Sequence, residues 1–420
     1  MIVGGGIAGL AASIYLARGG RTVTLFEKRR YLGGRAVTHI RHGYRFNLGP
    51  HAFYRGGEGS KVLAELGIPV RGGVPKVKGI ALYGKERHRL PAGFLSLLAT
   101  GLFSAKEKLE AARVLSRIRR MKDTAPFASM SARQWLDANI ALQRVRDVLE
   151  AFFRLATYCT AMDKMNAGAA LAHLRIAMRG VIYIDEGWQK LVDALHSSAV
   201  AAGVNFITSS RVVRVNHDSA VREIEIGGLE QETQSETKEF ILPSRGDVRG
   251  TRLAADTVLL AVDPDTAREL MGDVTWPKMT PVVLSTLDVA LSRLPEPRKT
   301  FALGIDRPLY FSVHSRWAQL TPKAGALIHA SRYGGGDETE LEALLDEMQP
   351  GWREFVVHCR FLPSMVVSNA LMEPAPATRP PAITPVRGLY LAGDWVGDVG
   401  LLSDAALASA RDSAKAMLAS

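Results

Sequence analysis

The stretch Met1-Ile2-Val3-Gly4-Gly5-Gly6-Ile7-Ala8-Gly9-Leu10 decides the fold. A scrap of apolar strand runs straight into a glycine turn, and the small apolar residues over 10–17 continue it as a helix. Strand, glycine turn and helix, in that order, suit a dinucleotide. Gly4 allows the sharp turn, Gly6 lets bare backbone approach a pyrophosphate, Gly9 lets the helix pack close to the strand, and the helix start turns N–H groups toward the anion. A second strand over 22–26 ends in Glu27, about twenty residues on, where a ribose-binding carboxylate is expected. The glycine spacing alone is common in ordinary strand-to-helix turns; the strand, helix and terminal acid around it supply the context.

Lys28, Arg29 and Arg30 follow the acid, and then comes a second glycine turn carrying a cation, Gly33-Gly34-Arg35. A nicotinamide site has no need of it. On these residues the chain resembles the FAD-dependent amine oxidase and phytoene desaturase superfamily, in which an acid followed closely by GGR sets the arginine beside the FAD phosphates and ribityl chain. The resemblance implies FAD as cofactor, with Glu27, Lys28, Gly34 and Arg35 among its contacts. An always-charged fork at Arg35 suits a phosphate, and the plain alternative is a solvated arginine in a turn.

Residues 36–48 read as a hairpin turning at His42-Gly43, which delivers Asn47-Leu48-Gly49-Pro50-His51 to a strand end. In the resembled family a similar segment, usually with Asp where this chain has Asn47, passes beside the flavin ring. That implies Gly49 and Pro50 as cofactor contacts and makes His51 and Tyr54 candidates for the pocket wall and for catalysis. A lone loop histidine is more often structural. His39 and His42 do not make a metal pair, because a hairpin points them to opposite faces.

The last motif is Gly388-Leu389-Tyr390-Leu391-Ala392-Gly393-Asp394, a buried strand ending in Gly-Asp, followed by a small-residue helix with Ser403 as its expected N-cap. By resemblance, Gly393 and Asp394 grip the ribityl and phosphate end of the same FAD, and the amides after Asp404 and Ala405 meet the pyrimidine edge of the ring. A helix N-terminus there stabilises the negative charge of reduced flavin. Ala405 replaces the usual glycine. Val212, in the strand over 210–215, matches the valine whose backbone pairs with the adenine. The resemblance runs nearest to plant-type phytoene desaturases and hydroxysqualene dehydroxylases, covers the whole chain in layout, and is specific in residues 4–55 and 388–418.

Between these ends the pattern changes repeatedly. Residues 90–103 form an apolar stretch, read as a hairpin, ahead of a capping box at Ser104 and Glu107 and a helix bearing Arg113, Arg117, Arg120 and Lys122. Such a unit fits a device for lying on an anionic membrane surface, and equally a helical substrate lobe with a solvated basic face. A second box, Ser131 to Gln134, opens helix read as running through 136–179. Residues 228–250 are a polar loop, 256–262 a buried strand, and 281–363 alternate like sheet. His314, Arg316 and Trp317 read as loop residues, and both cysteines, Cys159 and Cys359, as buried hydrophobes in a chain made for a reducing compartment.

With 420 residues, of which 47% are hydrophobic, the chain is long enough for two domains. Its formal charge of +11 is scattered and carries no RNA or DNA motif, so nucleic acid is not an expected partner. No apolar run is long enough to span a bilayer and no signal peptide precedes the first strand, so a cytoplasmic location is expected. The fold class expected is α/β, a discontinuous Rossmann-like FAD-binding domain (1–58, 183–270 and 377–420) with an inserted α+β substrate domain (59–182 and 271–376). The expected activity is hydride transfer from an apolar, isoprenoid-like substrate to flavin. Two alternatives stay open: amine oxidation, with ring-facing aromatics such as Trp395 flanking the nitrogen, and prenyl-lipid binding without redox chemistry, as in Rab GDP-dissociation inhibitors. No metal cluster or catalytic triad competes.

Overall fold

The computed structural model describes residues 1–76, 78–227, 250–272, 276–376 and 379–420. Five short strands form one parallel sheet in the order Asn205–Ile207, Thr24–Phe26, Ile2–Val3, Val258–Leu260, Leu389–Leu391. Ile2, Leu25, Val258, Leu259 and Leu260 are fully buried, as strands covered on both faces require. The helices Ile7–Arg18, Gln189–Ala201 and Leu402–Ala419 cover one face. On the other lie a three-stranded antiparallel sheet of Val212–His217, Val221–Ile226 and Arg252–Ala254, and the helix Pro264–Met271.

The two ends of the chain therefore share one sheet. Only the strand Val258–Leu260 separates the first strand from the last, and Arg21 donates to the Met417 carbonyl at 3.1 Å where the first and last helices run side by side.

A second, seven-stranded sheet runs in the order Val356–Ser368, Val282–Leu291, Ala326–Tyr333, Leu309–Val313, Phe301–Gly304, Ile80–Tyr83, Glu86–Arg89. All its pairings are antiparallel except that of Ile80–Tyr83 with Phe301–Gly304. Helix Glu338–Met348 seals one face with Leu341, Leu344 and Leu345. Beside this sheet the helices Ala105–Arg120, Ala132–Asn139, Gln143–Thr157 and Ala167–Ala177 share a core built on Trp135, Leu149, Phe153 and Leu171. Among the described residues no helix is long and apolar enough to cross a membrane.

Several local expectations are corrected. Residues 90–103 hold no hairpin: Ser96 Oγ takes the Gly93 N–H at 2.9 Å and starts a short helix, Phe94–Ala99. The expected helix over 136–179 is three, because Tyr158 ends one in a left-handed conformation (φ +61°) and Asn166 caps the next. Both capping boxes form, at Ser104 and Ser131. The last helix begins at Leu402, with Leu401 and not Ser403 at its N-cap. Cys159 is buried, but Cys359 is exposed on the edge strand of the larger sheet. The polar stretch 228–250 lies, but for Gly250, outside the described residues.

Candidate functional site

The strands Ile2–Val3, Thr24–Phe26, Val258–Leu260 and Leu389–Leu391 all point their carboxyl ends into a cavity of about 470 Å³. Ligands of open parallel sheets sit at that edge. The opposite wall is the end of the strand Val356–Ser368 with Asn369 after it, so the cavity lies between the two sheets.

Its floor is the first glycine turn. Gly4 has φ +108°, and a Cβ on it would stand 2.5 Å from the Ala261 carbonyl. A Cβ on Gly9 would stand 2.0 Å from the Gly4 carbonyl, so Gly9 does not touch the cavity but brings helix and turn together. A Cβ on Gly6 would meet nothing within 4 Å and would project into open space. Gly6 is therefore a glycine for the sake of whatever fills the cavity.

Glu27 is held rigidly above this turn. The Gly5 N–H donates to one carboxylate oxygen at 2.7 Å and the Arg29 N–H to the other at 2.9 Å. The second glycine turn docks on the first through Gly33 N–H to Gly5 carbonyl, 2.8 Å, which places Gly34 and Arg35 on the lining beside Gly6. Arg35 reaches across to the last strand, 2.8 Å from Asp394, and donates to the Val367 carbonyl at 2.9 Å. Asp394 is buried and also accepts from the backbone and side chain of Asn369. Burial alone would raise its pKa; the Arg35 charge and the Asn369 bonds hold the carboxyl below its ordinary value. Lys28, Val212, Gly393 and Asp394 line the same cavity.

The far end is aromatic and apolar: Leu48, Pro50, Ala52, Tyr158, Trp188 and Leu402, with His51 among them. The Trp188 backbone is fixed by its amide N–H donating to Asn47 Oδ1 at 2.9 Å, and the Tyr158 side chain by its hydroxyl on the Pro50 carbonyl at 3.0 Å. His51 packs edge-on to Trp188, with Nδ1 3.2 Å from the Gly49 carbonyl, and burial lowers its pKa to about 4. The imidazole is neutral at physiological pH.

Other candidates lie elsewhere. Trp395 is buried beneath the cavity floor against Trp276, its indole N–H on the Val262 carbonyl, so it cannot flank a substrate. Tyr54 points away, its hydroxyl on the Ala156 carbonyl at 2.7 Å. Gly49 (φ +74°) faces Met365 and Thr286 rather than the cavity. At the last helix, Leu402, Ser403 and Ala406 line the cavity; a turn of 100° per residue carries Asp404 and Ala405 to the other side. There Asp404 accepts from Gly59 N–H at 2.9 Å, and burial raises its pKa to about 7. Tyr158, Trp188, Met365 and Asn369 were not legible as site residues: each reaches the cavity from an element far away in sequence.

A family model of flavin-containing amine oxidoreductases matches residues 7–282. The chain belongs to that family. Within the flavin-containing amine oxidoreductases it is 24% identical over 267 residues to a 4,4'-diaponeurosporene oxygenase of Staphylococcus haemolyticus, covering 53% of this chain and 51% of that protein. It is 53% identical over 49 residues to a carotenoid 3,4-desaturase of Haloarcula japonica, covering 12% of this chain and 10% of the other. The chain thus spans about half the length of the first relative and a tenth of the second. A solved oxidoreductase from Methanosarcina mazei has the same fold, with a TM-score of 0.73, 17% identity and 98% of each chain covered. The fold is α/β, a Rossmann-like flavin domain with a substrate domain, and the cofactor is FAD. The cavity fits it: open space above Gly6, a fixed carboxylate at Glu27, a cation at Arg35, and an apolar aromatic end for a flat ring.

Proposed function

We propose that the chain is an FAD-dependent oxidoreductase of the desaturase type, acting on an apolar, isoprenoid-like substrate at the aromatic end of the cavity. The division into segments at 1–58, 59–182, 183–270, 271–376 and 377–420 belongs to the same reading. FAD, when bound, supplies the hydride acceptor. Glu27 would hold the ribose, Gly6, Gly34 and Arg35 the pyrophosphate, Gly393 and Asp394 the ribityl chain, and Val212 the adenine end. Leu402, Ser403 and Ala406, at the start of the last helix, replace Asp404 and Ala405 as the residues facing the ring. The protein's own part is to orient a C–H bond, exclude water and receive a proton.

One observation carries the choice of substrate. The cavity's carboxylates, Glu27, Asp263 and Asp394, belong to its glycine side, and Leu48, Pro50, Tyr158, Trp188 and Leu402 offer an ammonium group no counter-charge. An uncharged hydrocarbon meets no such penalty. The carotenoid relatives point the same way. Anaerobic mixing of the purified yellow protein with a long acyclic polyene should bleach the flavin; bleaching by amines alone would overturn the substrate class, and a colourless protein that takes up no FAD would overturn the enzyme.

A second part of the reading concerns where such a substrate is met. Phe94, Leu95 and Leu98 are 74%, 78% and 54% exposed, and Leu109, also exposed, is on the next helix, which packs against theirs. Lys106, Arg113, Arg119 and Arg120 are exposed on that helix, whereas Glu107 and Glu110 are engaged by backbone N–H groups. An exposed apolar helix beside a basic one fits an anionic membrane surface.

A further inference from the structure

Arg379 is buried, and both of its hydrogen bonds end on one loop. Its fork donates to the Asp394 carbonyl at 2.6 Å and to the Gly400 carbonyl at 2.8 Å. Those two residues lie near the two ends of the stretch that joins the strand Leu389–Leu391 to the helix Leu402–Ala419. Midway between them the Gly397 N–H donates to the carbonyl of the next residue, Pro380, at 2.8 Å. The pair Arg379-Pro380 therefore holds this loop at its start, its middle and its end.

A guanidinium is costly to bury, and here the cost is visible: burial lowers its pKa to about 10 against the opposing charges of Asp394 and Asp398, and its Nε–H has no partner. It is still a cation at neutral pH. An apolar side chain would fill this place at less cost but could not span two carbonyls. What the span holds is therefore the reason to look for.

Each end of the loop belongs to the cavity. Asp394 lines it, and while its carboxylate takes Arg35 and Asn369, its carbonyl takes Arg379, which does not line the cavity. At the other end the backbone is left-handed at Gly400 (φ +72°) and again at Leu402 (φ +57°), a lining residue. Glycine accepts that conformation freely, but leucine is strained in it and stays there only where its surroundings hold it. Leu401 and Leu402 pack on the core of the helical lobe, and the Gly400 carbonyl is pinned by Arg379. The consequence reaches further along the chain. Ser403 and Ala406 face the cavity because the helix begins where it does, and one residue of slippage would turn them by 100°.

Resting on the reading above that Leu402, Ser403 and Ala406 face the flavin ring, we propose that Arg379 is a positioning residue for the cofactor: by spanning the Asp394 and Gly400 carbonyls it fixes the start of the last helix against the ring. It acts through that helix. A helix N-terminus stabilises negative charge, and the reduced ring carries more of it than the oxidised ring. A helix start held in place favours reduced FAD, and one released from Gly400 favours it less.

The test uses the FAD-loaded protein and two variants. Arg379→Lys keeps the buried charge but offers one ammonium for two carbonyls, and Arg379→Met keeps the bulk and loses charge and span together; either one that folds carries both measurements. Hydrogen exchange of the backbone amides over 395–401 should quicken about tenfold or more, with the amides of the strand Thr24–Phe26 unchanged. Reductive titration without substrate should show the affinity for reduced over oxidised FAD falling about tenfold, which for a two-electron couple lowers the midpoint potential by about 30 mV. Unmoved exchange, even with a lower melting temperature, would overturn the proposal by removing the clamp. Faster exchange with an unmoved potential would overturn it differently, by placing the helix start away from the ring, and would count against the reading on which it rests.

Discussion

The Arg35 guanidinium lies 2.8 Å from the Asp394 carboxylate, tying the second glycine turn to the end of the last strand inside the cavity. Asp394 is 2% exposed and Arg35 42%, so the buried partner depends on the more exposed one. Arg35→Ala would leave a buried carboxylate facing a ligand that is itself anionic. We expect FAD affinity to fall about 100-fold, or about 2.7 kcal/mol, read by flavin fluorescence titration. Adding Asp394→Asn should recover part of that loss, since the uncompensated charge is gone. An Arg35→Ala protein that binds FAD as the wild type does would show that the pair serves only to staple the fold.

Two glycines in the first turn separate binding from folding. At Gly6 an added methyl projects into open cavity; at Gly9 it strikes the Gly4 carbonyl. Gly6→Ala should leave the melting temperature of the FAD-free protein nearly unchanged while lowering FAD affinity about tenfold or more. Gly9→Ala should destabilise the FAD-free protein by about 2 kcal/mol or more, since backbone must shift. Thermal melts without and with FAD distinguish the two, and equal behaviour of both variants would refute the assignment.

Much of this was readable from the chain because the glycine turns and the carboxylate at Glu27 sit within one contiguous stretch, where local spacing and fold agree. The strands 282–291 and 309–313 were equally legible from alternation. Where the reading failed, the deciding contact was tertiary. Asp404 and Ala405 fell on the wrong side of their helix because its start at Leu402 fixes the phase, and one residue of phase is 100°. Trp395 seemed to face the ring because it follows Gly393-Asp394, but the Val262 carbonyl turns its indole into the core. His314 looked like a loop residue and is buried by Tyr183, a partner far away in sequence.

The exposed tip at Phe94, Leu95 and Leu98 predicts binding to liposomes containing anionic lipid. Phe94→Asp with Leu95→Asp should abolish co-sedimentation. Arg113→Glu with Arg117→Glu and Arg120→Glu should weaken it in a salt-dependent way, because each cation near the surface contributes about 1 kcal/mol that falls off within a Debye length. Flavin content should be unchanged in both, as these residues are remote from the cavity lining. Equal sedimentation of the wild type and the aspartate variant at low salt would remove the membrane from the reading.

Asp404 gives the fold a pH dependence with a definite sign. Its carboxyl is buried against Gly59, one oxygen lacks a partner, and burial lifts its pKa to about 7 against an unfolded value of about 3.9. Between those two values the folded chain holds a proton that the unfolded chain has released, so stability falls as pH rises through that window and levels off above it. The ceiling on this contribution is about 4 kcal/mol, three units at about 1.4 each. Asp404→Asn keeps an oxygen for the Gly59 N–H but cannot ionise. Denaturant melts at a series of pH values should therefore show the variant gaining on the wild type from mildly acidic toward neutral pH, with the difference constant at alkaline pH. A wild-type curve that instead gains stability across that window relative to the variant would mean that Asp404 is ionised and paired in solution, and that the start of the last helix is arranged differently from the one seen here.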